Sequence, residues 1–365
     1  MNVIFQPLRD LRLRGEAWFI DAPNALRGLA MARILVAIAA LGILIANFGQ
    51  RHALWGVSSN WVQPHRADGN FASLATLFAD TNPLIFTIKY LLVGALAIAV
   101  LLGWRTRLTT LLLVIGFTAL VERNGLLGNQ GDNIARIGLL FMVFMNTSAH
   151  WSLDQRRRDK YGHQARTLWD RWALGMPLLP NWMRIPLHNA ALMALALQIF
   201  ILYTASAMYK VQGQYWQDGT ALYLPVSLPD YAVFPSLNQA LMANGVFVGL
   251  ATYFAVYIQL FFAVGLLHPV SRRISIIGVI LMHVGIAVLM GLPWFSLSMI
   301  AFDAIFISTL TYKRAENWVR ERGRGMANPK QGAQARWGAH KRGGAKESGS
   351  AGSTMRRPAL RSGRD

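Results

Sequence analysis

At 365 residues, with 54% hydrophobic and 15% charged side chains and a mean hydropathy of +0.33, the chain is too apolar for a soluble domain of its length and falls among polytopic membrane proteins. Its formal charge of +19 would suggest nucleic acid on a soluble surface, but Lys and Arg fall between and after apolar segments, where they read as topology signals and nucleic acid is not expected as a partner. With no cysteine, disulfides, thiolate nucleophiles and Cys-ligated zinc or iron-sulfur sites are excluded.

The N-terminal segment, residues 1–28, carries charges on both sides of "WFIDAPNAL" and lacks a short apolar core ending in a small-residue cleavage site. No removable signal peptide is expected, and the first membrane helix is expected to do the targeting. A span needs about 20 apolar residues to cross roughly 30 Å of hydrocarbon. Eight stretches qualify, at about 29–48, 83–103, 107–122, 134–150, 188–210, 246–267, 273–292 and 295–312. Glu122, Arg123, Asp132 and Arg136 crowd the shared end of the third and fourth.

Arg9, Arg12, Arg14 and Arg27 precede the first span, and Arg105 and Arg107 join the second to the third. A cluster from Arg156 to Arg184 lies between the fourth and fifth, Arg272 and Arg273 follow the sixth, and Lys313 and Arg314 follow the eighth. Every second loop is basic, which predicts an even number of spans, both termini cytoplasmic, in an inner or plasma membrane. The fold predicted is an all-α polytopic transmembrane bundle over residues 29–312.

The outward segments 49–82 and 211–245 mix Trp, Tyr and Phe with Gly and Pro, which suits backbone at the interface or folded back over the bundle. On the inner side, "LWDRWALGMPLLPNWMRIP" reads as an interfacial helix with an aromatic belt rather than a cofactor site. From 313 to 365 the composition turns to Gly, Ser, Arg and Lys, so a disordered cytoplasmic tail is predicted. Anionic lipid headgroups are its expected partner, at roughly 1 kcal/mol per basic residue, with RNA the runner-up.

Charges inside spans cost around 2.5–3.5 kcal/mol at mid-bilayer and so tend to mark sites. Four places draw attention. Lys89 in "LIFTIKYLL" can snorkel outward along its own stem. Asp303 in "SMIAFDAIFIS" is too short to snorkel and needs a partner inside the bundle. His283 in "GVILMHVGIAV" is either a satisfied packing residue or a proton carrier suited to neutral pH. In "VERNGLLGNQGDNIARIG", Asp132 and Arg136 are i,i+4 at a helix start, which predicts a cap with a salt bridge or else a polar outer pocket.

A further lysine ends the apolar run "ILYTASAMYK". Lys210 is either an interface anchor or, with His283 and Asp303 deeper in the seventh and eighth spans and segment 214–234 as a cap, part of an outer-half cavity. Withdrawal from water lowers the reference lysine pKa of about 10.4, in some proteins to about 7–8.

Three stretches carry a family resemblance: "YTASAMYKVQGQYWQDG", "MNTSAHWSLD" and "LMHVGIAVLMGLPWFSLSMIAFDAIF". Their order and spacing resemble bacterial HTTM (horizontally transferred transmembrane) proteins and the membrane part of vitamin K-dependent gamma-carboxylase over about residues 25–312. The carboxylase lysine deprotonates a reduced quinone, whose oxygenation yields a base strong enough to act on a glutamate gamma-carbon. The resemblance thus implies catalytic roles for Lys210 and His283, a quinol pocket including Trp216, Asp303, Asp132 and Arg136, and a reduced quinone of menaquinol or vitamin K type, with no metal. Where the carboxylase has a large lumenal domain after its membrane part, a disordered cytoplasmic tail is expected here, and His150 directly adjoins Trp151. Other bacterial HTTM proteins resemble a protein that matures a secreted sporulation-delaying peptide toxin.

Three functions follow as expectations: a quinol-using membrane enzyme with a secreted peptide or protein substrate, a noncatalytic accessory protein for maturing or exporting a secreted peptide, or a transporter. Transport has the least support, because the chain shows neither paired broken helices in matching halves nor a run of pathway carboxylates.

Overall fold

The computed structural model describes residues 2–59, 72–164, 166–173 and 175–327, and every regular element among them is helical. The longer helices are α1 (Asn2–Ile20), α2 (Leu26–Ala46), α3 (Pro83–Leu102), α4 (Thr106–Glu122), α5 (Gln130–Phe144) and α6 (Leu153–Tyr161). They continue as α7 (Asn181–Gln212), α8 (Gly245–Leu260), α9 (Pro269–Leu289), α10 (Pro293–Asp303) and α11 (Thr309–Ala327). Residues 60–71, within the first aromatic outer segment, and the tail beyond 327 lie outside the described residues.

Each predicted apolar stretch falls on a helix, but their lengths differ. α2, α3, α7 and α9 are each long and apolar enough to cross a membrane. Two more candidates need a sharp break inside one span: Pro235–Met242 with α8, bent by 96°, and Pro293–Phe306 with Thr309–Arg322. α4 has 17 residues and α5 has 15, a rise of roughly 26 and 22 Å against about 30 Å of hydrocarbon. Polar chemistry sets their shared boundary: Asn129 caps α5, accepting from the amides of Gly131 and Asp132, while the Asp132 carboxylate accepts from the Asn129 amide. Among the described residues there are therefore four to six full-length candidates for the eight predicted spans.

α2 is the most enclosed of the candidate spans, with a little over half of its most apolar window buried. Leu29, Val36, Phe86, Phe117, Leu139, Leu195 and Phe302 form the centre of one continuous core around it. α10 can approach because two facing positions lack a side chain: Gly42 of α2 lies against the Trp294 ring, and Gly138 of α5 against the Phe302 ring. A methyl group at either would overlap the aromatic ring. Outward, Ile45, Leu84, Ile88, Leu92, Val246 and Leu281 are exposed, an apolar surface suited to lipid rather than water.

α1 is tied to α7 by polar groups. Asn189 Nδ2 donates to the carbonyls of Trp18, Phe19 and Ala22, and buried His188 bridges the Asn146 amide to the Asn24 carbonyl through its two ring nitrogens at 2.9 Å each. The second aromatic segment folds as short helices, and Val226 and Met242 pack with Val248 in a satellite apolar cluster. Asn238 Nδ2 pins this segment by donating to the carbonyls of Val226 and Leu289.

One expectation is corrected. The segment from 313 was predicted to lack structure, yet α11 runs to Ala327. Glu316 and Arg320 are i,i+4, and the Arg322 guanidinium lies 4.0 Å from the Trp318 ring centroid. Such pairs each support a helix by a few tenths of a kcal/mol. The chain divides into two compact units, residues 1–309 and Leu310 onward.

Candidate functional site

Lys210 stands in the last turn of α7, where Gly213 breaks the helix and the short helix Gln214–Gln217 brings Trp216 back beside it. The amine Nζ donates to Ser206 Oγ, one turn earlier, at 2.9 Å, and to Gln259 Oε1 of α8. It lies 5.3 Å from the Trp216 ring centroid. Both acceptors are neutral, and among the described residues no carboxylate lies within ion-pairing distance of it.

Seven residues earlier on the same face of α7, about 10 Å along the axis, is the fully buried Tyr203. Its hydroxyl donates to Asp303 Oδ2 at 2.7 Å and lies 3.2 Å from His283 Nε2. A phenol has one proton. When it goes to Asp303, His283 must be the Nε2–H tautomer and donate to the phenol oxygen; when Asp303 holds a proton, both bonds can reverse. The three side chains thus form a row along which a proton has two consistent arrangements. His283 Nδ1 and Asp303 Oδ1 are buried without a partner.

The structure joins Lys210 with Trp216, and His283 with Asp303 through Tyr203. Asp132 and Arg136 join a different group. Asp132 closes the cap of its own helix, and Arg136 bonds Glu122 of α4 and Asn133 Oδ1. Asp132 lies on the wall of a cavity of about 220 Å³ lined also by Asn47, Trp55, Asn129, Trp294 and Phe295. The Phe295 ring packs edge-on against His283, with centroids 6.0 Å apart, so one aromatic ring links that cavity to the buried row. Lys89 reaches back along its helix to both oxygens of Asp80, at 2.9 Å each.

Sequence reasoning passed over Tyr203, Ser206, Gln259 and Arg33. Gln259 was visible as an uncharged polar residue in the apolar run "YFAVYIQLFF". Arg33 was visible as a charge seven residues inside α2. It is fully buried and donates to the carbonyls of Val100 and Leu101 at the end of α3, and to those of Thr147, His150 and Trp151. Nearby, buried Asp154 accepts from the amides of Arg105 and Thr106 and from Thr106 Oγ1, all at 2.8 Å, which caps α4.

The HTTM domain model matches residues 22–183. Over 309 residues the chain is 25% identical to sporulation-delaying protein SdpB of Bacillus subtilis (strain 168), which covers 82% of this chain and 87% of that protein. No solved structure matches the chain. The domain match contains Arg33, Asp132 and Asp154 and ends before Tyr203, Lys210, His283 and Asp303.

Proposed function

Because the chain is an HTTM-domain membrane protein that resembles SdpB, we propose that it is a membrane-embedded enzyme whose Lys210 amine takes a proton from a reduced quinone. The carrying observation is the valence of that amine. Neutral –NH2 has two N–H bonds and one lone pair. With both N–H bonds directed to Ser206 and Gln259, the lone pair remains as the base, and no ion pair must break for it to act.

The donor set fits such a cofactor: an amine for an acidic O–H and the Trp216 indole face for an aromatic ring. Lys210 and Trp216 would hold it. A reduced quinone supplies two electrons and the acidic hydroxyl. Lys210 accepts the proton, Gln259 and Ser206 orient Nζ, and the Tyr203–His283–Asp303 row stores or passes a proton deeper in the bundle. The alternation of basic loops supports both termini in the cytoplasm, which puts Lys210 on the outer side of an inner or plasma membrane. The tail beyond 327 then meets anionic lipid from the cytoplasmic side.

A second reading is a noncatalytic partner in maturing or exporting a secreted peptide, which the similarity to SdpB across 82% of the chain favours. Solvent extraction of the purified protein with an ultraviolet spectrum, combined with quinol turnover by wild type, Lys210→Arg and Lys210→Ala, separates the two. The enzyme reading expects bound quinone and at least a 100-fold loss in both variants, on the order of general-base contributions, because a guanidinium stays protonated. Full turnover by Lys210→Arg would overturn the base assignment. A quinone-free protein that co-purifies with a peptide would favour the accessory role.

A further inference from the structure

At the end of the bundle opposite Lys210, a cavity of about 110 Å³ opens between the start of α4, the 145–148 turn, α6 and residues 175–178. Arg105, Arg107 and Arg158 line it together with Asn146, Ser148 and Asp154. Three guanidiniums thus face one carboxylate. That carboxylate accepts from the backbone amides of Arg105 and Thr106 and from Thr106 Oγ1, and leaves the cavity with an excess of positive charge.

Two of the arginines are fixed. The Arg158 guanidinium donates to Ser148 Oγ and to the Gly175 carbonyl, at 3.1 Å each, and to the Ser148 carbonyl. Arg105 lies 4.3 Å from the Trp172 centroid, and Trp172 stacks on Trp169 at 4.8 Å. Arg107 is different. It is exposed, and among the described residues it makes no ion pair and no side-chain hydrogen bond. Arg158 and Arg184 both repel its charge. Arg184 Nε is itself buried with no partner.

We infer that this cavity binds a phosphate-bearing anion, gripped by Arg105 and Arg158 and closed over by Arg107. Guanidinium forks match phosphate oxygens two at a time; Asp154 and Asp159 offset part of the Arg158 charge, and Arg105 and Arg107 add two more guanidiniums to the same cavity. Two sources share this chemistry: an anionic phospholipid headgroup and a soluble phosphate. The exposed tryptophans beside the mouth, Trp169 and Trp172, suit the membrane–water interface.

The full-length protein in nanodiscs of phosphatidylcholine with and without phosphatidylglycerol, read by native mass spectrometry, tests the lipid source. Thermal protection by inorganic phosphate in pure phosphatidylcholine discs tests the soluble one. Wild type should retain phosphatidylglycerol over phosphatidylcholine. Arg107→Gln should lower that retention about 5-fold, the equivalent of roughly 1 kcal/mol for one basic group near a lipid surface, while Arg107→Lys keeps most of it. The charges beyond residue 309 are the same in every sample and cancel from the ratio. Protection by inorganic phosphate that Arg107→Gln removes supports the same site with the soluble source. Equal lipid retention and equal phosphate response in wild type and Arg107→Gln would overturn the inference, and Arg105→Gln repeats the test if Arg107→Gln does not fold.

Discussion

The two ends of the bundle meet the same problem, a cation without a carboxylate partner, in different ways. At one end Arg33 spreads five N–H donors over carbonyls from two chain segments. At the other, Lys210 rests on a serine and a glutamine. Arginine keeps its proton under all ordinary conditions and offers a planar fan of donors, so it suits a clasp. Lysine uses fewer donors and can surrender one proton, so neutral partners leave it free for chemistry. Identity of the cation, more than its burial, separates the clasp from the candidate site.

The sharpest way to break that contrast is Arg33→Lys. A single ammonium cannot reach carbonyls of Val100, Thr147 and Trp151 together, so buried acceptors are left bare. The expected loss is at least about 3 kcal/mol, seen as a collapse of the detergent melting temperature. Tyr203→Phe should come next, at about 2–3 kcal/mol, because it strands both His283 and Asp303; melting together with quinol turnover checks it, and unchanged turnover would remove the row from the mechanism. Lys210→Arg should change stability by less than about 1 kcal/mol, since its partners are few and neutral. A large destabilisation there would erase the distinction between clasp and site.

The smallest effect concerns pH. Asp170, in the first turn of the short helix Leu168–Ala173, accepts from the amides of Thr167 and Arg166, while its own amide donates to Thr167 Oγ1; the bonds from Thr167 and Arg166 hold its carboxyl below the usual value. A depressed folded-state value stabilises the turn above the unfolded carboxyl pKa of about 3.9, and that contribution is lost as pH falls below it. The protection of the Arg166 and Thr167 amides, measured against their intrinsic exchange rates, should fall on acidification, and Asp170→Asn should remove that pH response without moving the rest of the bundle.

The helical class and the positions of the longest apolar helices were legible because a run of about 20 apolar residues is what a membrane-crossing helix needs. Lys210, His283 and Asp303 were legible as polar residues in apolar runs. Their grouping was not, since it depends on Tyr203, a residue whose hydropathy fits a span and whose phenol shows its role only when its neighbours are known. Asp132 and Arg136 illustrate the reverse: their i,i+4 spacing at a helix start suggested a cap with a mutual salt bridge or a polar outer pocket, and the cap is present while Arg136 pairs with Glu122. Arg33 escaped because a search for charges deep in spans overlooks one near a helix start. The helix from 309 to 327 escaped because composition measures burial, and this helix is held in part by local pairs.

Arg33 also sets a timetable for synthesis. It leaves the ribosome long before its partners exist: Val100 follows 67 residues later and Trp151 follows 118 later. At about 5–20 residues per second, the last partner emerges roughly 6–24 s after the arginine. Through that interval the guanidinium must rest among headgroups at the bilayer edge, and α2 cannot settle at its final depth. Nascent chains arrested before residue 147 should remain open to protease around α2, and those arrested well past Trp151 should become resistant, so that a helix made first is locked last.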